Sequence, residues 1–84
     1  MNNTYYVICL DDESYLANIN KEDDNPIMTE FVNEALTFKT LEDVNKCLDE
    51  TLVKQNLYDM GYLSLSINKI TFKLNEEEIE VIDL

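Results

Sequence analysis

Eighty-four residues, 45% of them apolar, make one small domain (residues 1–84) with one core and no room for a catalytic cleft between lobes. Eighteen Asp and Glu stand against six Lys, with neither Arg nor His, for a formal charge of −12. That balance excludes direct binding to DNA, RNA or an anionic membrane, whose affinity rests on Lys and Arg meeting phosphate, while the apolar share is that of a folding chain rather than a disordered acidic tail.

Residues 4–10 (TYYVICL) are β-branched and aromatic and predict a central strand, stopped by Asp11-Asp12-Glu13. Residues 14–19 alternate, with Tyr15, Ala17 and Ile19 on one face, and pair with the first strand as a hairpin through the acidic turn. Residues 20–26 (NKEDDNP) read as a loop. The next stretch supports two readings. Asn25-Pro26 suits a helix start, with Ile27, Met28, Phe31, Val32, Ala35 and Leu36 at helical spacing. The preferred reading is a turn or helical turn over 29–34 and a strand over 35–39, because Leu36 and Phe38 lead straight into Thr40.

A helix over 41–56 is the best-determined element. Thr40 is its N-cap, Glu42 and Asp43 lie at the positive end of its dipole, and Leu41, Val44, Leu48 and Leu52 form its apolar stripe. Glu42 with Lys46 and Glu50 with Lys54 are i,i+4 pairs on the polar side. Gly61, the one glycine, marks a turn. Residues 62–74 then alternate, with Leu63, Leu65 and Ile67 on one side, as one long bent strand or two meeting at Asn68-Lys69. Residues 76–84 close the sheet, with Ile79 and Val81 on one face and Glu78, Glu80 and Ile82 on the other. The expected fold is therefore α+β: a small, mainly antiparallel sheet of three to five strands with one long amphipathic helix packed on it.

The chemistry is defined by what is missing. Without histidine there is no imidazole base, Ser14, Ser64 and Ser66 lack a nucleophile-elbow context, and one glycine cannot build a phosphate-cradling loop. No enzyme activity and no cofactor is expected. Cys9 and Cys47 without histidine cannot complete a structural zinc site and are expected as reduced thiols. Asp11 with Asp12 has the composition of a Mg²⁺ or acid/base pair, but a solvated acidic turn is the preferred reading, and no metal is expected. The first ten residues carry no basic segment before their apolar run, so the expected location is the cytoplasm.

Two resemblances attach to particular residues. YYVICLDDE (5–13) is similar to the first strand and acidic pair of bacterial receiver domains, but the chain lacks their length and β/α alternation. More broadly, the YYVI strand, the short YL strand and EALTFKTLEDVNKCL (34–48) resemble small proteins of phages infecting low-GC Gram-positive bacteria. That resemblance implies an accessory gene product, a class in which inhibitors of host machinery are common. In size and charge the chain is similar to phage uracil-DNA glycosylase inhibitors and to anti-CRISPR proteins, which occupy basic nucleic-acid-binding surfaces.

The acids fall in clusters, and three of them are the candidate partner-binding residues: Asp11, Asp12 and Glu13; Glu22, Asp23 and Asp24; and Glu76, Glu78 and Glu80. Side chains at i and i+2 of a strand share a face at about 6.6 to 6.8 Å, roughly twice the spacing of phosphates along one DNA strand. The expected function is an acidic phage-type inhibitor, of anti-CRISPR or similar anti-defence type, that blocks a basic, nucleic-acid-handling host protein as a DNA mimic. The alternative is a structural or assembly protein that homo-oligomerises through the exposed strand edge at 76–84.

Overall fold

The computed structural model describes residues 3–73 and 76–83. Five strands, β1 (Asn3–Leu10), β2 (Ser14–Ile19), β3 (Pro26–Thr29), β4 (Leu65–Lys73) and β5 (Glu76–Asp83), form one antiparallel sheet in the order β3-β2-β1-β4-β5. Between β3 and β4 lie a 3₁₀ turn at Val32–Glu34 and two helices, α1 (Leu41–Glu50) and α2 (Val53–Asp59). The α+β class and the antiparallel sheet match the sequence reading; the single long helix does not. The expected extensions to Leu74 and Leu84 lie outside the described residues.

Both helices cover the same face of the sheet. Val44 and Leu48 of α1 and Val53 and Leu57 of α2 form one buried cluster with Ile8, Leu10, Leu16, Leu65 and Ile67. Thr40 caps α1 as expected, its Oγ1 accepting from the Asp43 amide at 3.0 Å. The helix stops at Thr51, which is extended (φ −123°, ψ 168°). Thr51 Oγ1 donates to the Cys47 carbonyl at 2.7 Å and accepts from the Val53 amide at 3.3 Å. Asp24, distant in sequence, accepts the Leu52 amide at 3.0 Å. The break re-aims the apolar stripe, so Leu52 is exposed and Val53 and Leu57 take its place in the core. The α2 terminus closes with the two hydrogen bonds of a Schellman motif, Tyr62 N to Leu57 O at 3.2 Å and Gly61 N to Tyr58 O at 3.0 Å. Gly61 has φ +104°, a conformation that no other residue type adopts cheaply.

The ambiguous middle segment is mostly extended. Pro26 begins the edge strand β3, where its missing amide hydrogen is tolerated, rather than a helix. The expected strand over 35–39 is reduced to a bridge: Tyr6 and Phe38 exchange both backbone hydrogen bonds, at 2.8 and 2.9 Å, and the Leu36 amide donates to Leu16 O at 2.8 Å. β1 and β2 pair only at Cys9–Tyr15 and Leu10–Ser14, and the 36–38 segment ties the two strands together where they diverge.

β4 is one continuous strand through Asn68-Lys69, but its apolar phase slips there. Leu65 and Ile67 face the helices, whereas Ile70 and Phe72, an odd number of residues on, share the opposite face with Ser66 and Asn68. Leu63, expected within the strand on the same side as Leu65 and Ile67, precedes it and is 88% exposed.

Candidate protein-binding surface

The turn acids divide by role. Asp11 and Asp12 both sit in the left-handed region (φ 51° and 57°), which Asp tolerates better than most residues. Asp11 Oδ1 accepts the amides of Leu63 and Ser64 at 3.0 and 2.7 Å, and its own amide donates to Ser64 O at 2.8 Å. That carboxylate pins the chain entering β4 to the β1–β2 turn. Asp12 and Glu13 are exposed.

The loop acids divide in the same way. Asp23 accepts from both the amide and the side-chain Nδ2 of Asn25, at 3.1 and 2.8 Å. Asp24, again left-handed at φ 57°, caps the start of α2 through Leu52, and Asn56 Nδ2 donates to the carbonyl of Asp24 at 3.0 Å. Asp24 thus docks the β2–β3 loop onto α2, joined by the Asp23 carbonyl, which accepts from Asn56 Nδ2 at 3.4 Å, while the Asp23 carboxylate turns back on Asn25 and, like Glu22, is exposed.

On β5 the expected alternation is present. Glu78 and Glu80 are exposed on the side that carries Ile82, and Glu77, Ile79 and Val81 occupy the other side. The side chain of Glu76 lies outside the described atoms. The register sets Glu80 opposite Lys69 and Glu78 opposite Thr71, so a β4 cation interrupts the negative stripe. Of the nine candidate acids, Asp11, Asp23 and Asp24 make internal hydrogen bonds, and Asp12, Glu13, Glu22, Asp23, Glu78 and Glu80 are exposed at separate parts of the surface. The structure does not gather them into one site.

Sequence clustering of charge missed the face of the sheet turned away from the helices. Cross-strand rows read Tyr5–Ile70–Ile79 and Val7–Asn68–Val81, with Cys9 beside Ser66. Tyr5 stacks on Phe72 with ring centroids 5.7 Å apart. Val7, Cys9 and Ile70 are buried here although they stand apart from the helix-covered cluster. Exposure rises toward the β5 edge: Phe72 of β4 is 40% exposed, and Ile79 and Val81 of β5 are 55% and 57% exposed. Within the central row, Asn68 is 7% exposed and its Oδ1 has no hydrogen-bond partner among the described residues. The signal in the sequence is the odd spacing from Ile67 to Ile70, which moves apolar side chains to the second face.

The cysteines lie on opposite sides of this sheet, Cys9 on the open face and Cys47 against the helix-side cluster, and both are free thiols. Burial pushes the Cys9 thiol above its ordinary value, with the charge of Asp12 adding to the shift and the Ser66 hydroxyl opposing it. Burial likewise raises Cys47, with the neighbouring Thr51 hydroxyl opposing the shift. Raised thiols are poor nucleophiles at neutral pH. Among the described residues no group of three or more Cys, Asp or Glu is arranged to hold a metal ion, and no helix is long and apolar enough to cross a membrane. A concavity lined by Glu13, Ser14, Met28, Thr29, Glu30 and Tyr62 brings two carboxylates near two hydroxyls and one phenol. No protein-family model, no curated protein and no solved structure matches the chain.

Proposed function

We propose that this protein is a non-catalytic binding module that engages a basic protein, acting as a phage-type inhibitor of a nucleic-acid-handling host effector, of anti-CRISPR or similar anti-defence kind. The observation that supports this reading is the charge of −12 held on a folded scaffold whose Asp12, Glu13, Glu22 and Glu80 carboxylates face solvent. Such a surface accelerates encounter with a positive partner, repels nucleic acid and competes with it for a basic groove. The cytoplasm of the host cell is where that partner would be met.

The exposed apolar residues of β5 favour a second reading, self-assembly through that edge. Its own glutamates oppose it. In a two-fold antiparallel pairing centred on Ile79, Glu78 of each copy faces Glu80 of the other, and centring on Glu80 sets that residue against itself. These registers overlap the most residues of β5, and like charges directly opposite are destabilising. The test is a pull-down from a lysate of a low-GC Gram-positive bacterium, followed by displacement with duplex DNA and structured RNA at low and physiological salt. A retained basic protein that nucleic acid displaces, and that an Asp12→Asn, Glu13→Gln variant binds more slowly, is the expected outcome. A retained protein indifferent to both, or concentration-dependent oligomers of the chain alone, would favour assembly.

A further inference from the structure

We infer that β5 is an acceptor edge for an extended segment of the partner, in which Lys or Arg alternates with aliphatic residues. This rests on the basic-partner reading and specifies how the partner is held. β5 is the terminal strand of the sheet, so one row of its backbone groups has no neighbouring strand among the described residues. The two sides of that edge differ chemically. Glu78 and Glu80 project on the helix side, with Lys69 opposite Glu80, and Ile79 and Val81, each more than half exposed, project on the open side, where Glu77 opposite Phe72 ends the apolar stretch.

An added strand places its alternate residues over these two sides. Basic residues at i and i+2 meet the glutamates, and aliphatic residues between them extend the apolar rows that run from β1 through β4. The same glutamates that repel a second copy attract this occupant, so the edge is selective rather than generally adhesive. Main-chain hydrogen bonds supply affinity, and the alternation supplies register.

The experiment uses the full chain, ¹⁵N-labelled, and three short end-blocked peptides: one alternating Lys with Val, one of identical composition with all Lys preceding all Val, and the alternating peptide N-methylated at every second residue. Binding is followed by amide chemical shifts and calorimetry at about 20 mM salt, where charge pairing is weakly screened. The expected result is that the alternating peptide binds about tenfold or more tightly than its block isomer, that N-methylation removes the advantage, and that shifts centre on residues 77–82. If both isomers bind equally, if methylation changes nothing, or if shifts centre on Asp12 and Glu13, the strand-addition proposal fails while the basic-partner reading stands. If none binds, the strand-addition proposal fails, and the basic-partner reading is decided separately by the pull-down. If the β5 amides are already protected in a dimer of the chain without peptide, the edge belongs to a second copy and the proposal is overturned.

Discussion

Asn68→Val removes the one polar side chain, and with it the unpaired Oδ1, from an otherwise apolar row. The residue lies between Val7 on β1 and Val81 on β5, is 7% exposed, and leaves Oδ1 buried without a partner among the described residues. A buried acceptor with no donor costs about 1–3 kcal/mol, and replacing it with an apolar group of similar shape recovers much of that. Valine is also the better strand former, on a scale that spans about 1 kcal/mol. We therefore expect Asn68→Val to stabilise the free protein by about 1–2 kcal/mol. For a domain of this size each kcal/mol moves Tm by about 4–8 °C, so the shift is large enough to measure by circular dichroism. Urea titration should move the midpoint upward at unchanged slope, since the surface exposed on unfolding is nearly the same. Asn68→Asp, which places a charge at the same buried position, should move the midpoint down. A valine variant no more stable than the parent would refute the reasoning, because it would mean that Oδ1 is already satisfied in solution.

Other perturbations test the remaining links. Asp11→Ala leaves the amides of Leu63 and Ser64 without their acceptor and should lower stability by about 1–3 kcal/mol, whereas Asp12→Asn, at an exposed carboxylate, should be nearly neutral in urea titration. Gly61→Ala meets no atom within 4 Å but must adopt φ +104°, so a loss of about 1 kcal/mol or more is expected, read as a lower Tm; no loss would mean that the turn relaxes. Both thiols and the phenols of Tyr5 and Tyr15 are raised by burial, so the unfolded chain releases these protons first. Their contribution to stability is complete below the ordinary thiol value of 9.0 and declines as pH climbs past it; Cys9→Ala should flatten that decline in urea midpoints taken from neutral to alkaline pH, and stability rising over this range would contradict the assignment. Glu80→Lys turns the Glu78–Glu80 clash of a two-fold centred on Ile79 into two opposite-charge pairs, so sedimentation at low salt should show more self-association than the parent; an unchanged monomer would mean that charge is not what guards the edge.

Local chemistry is what the sequence determined: the β1–β2 hairpin, the Thr40 cap, the turn at Gly61 and the period-two alternation of Glu78, Ile79, Glu80 and Val81. Each depends on neighbours within a few residues, where side-chain period and backbone preference act without reference to the rest of the molecule. Tertiary structure decided the rest. The run from Leu41 to Asn56 has the composition of one helix, yet Asp24 supplies a cap at Leu52 that no local pattern encodes. The acidic clusters looked alike as sequence, but the carboxylates of Asp11 and Asp24 are taken up by amides far along the chain, those of Leu63, Ser64 and Leu52, whereas Asp23 bonds to Asn25 two residues on and Asp12, Glu13 and Glu22 face solvent. The open face of the sheet was partly written in the odd spacing between Ile67 and Ile70. Which face the helices leave bare is settled only when Val44, Leu48, Val53 and Leu57 pack against Ile8 and Leu10 rather than against Val7 and Cys9, since a strand with apolar residues on both sides does not itself choose which side is covered.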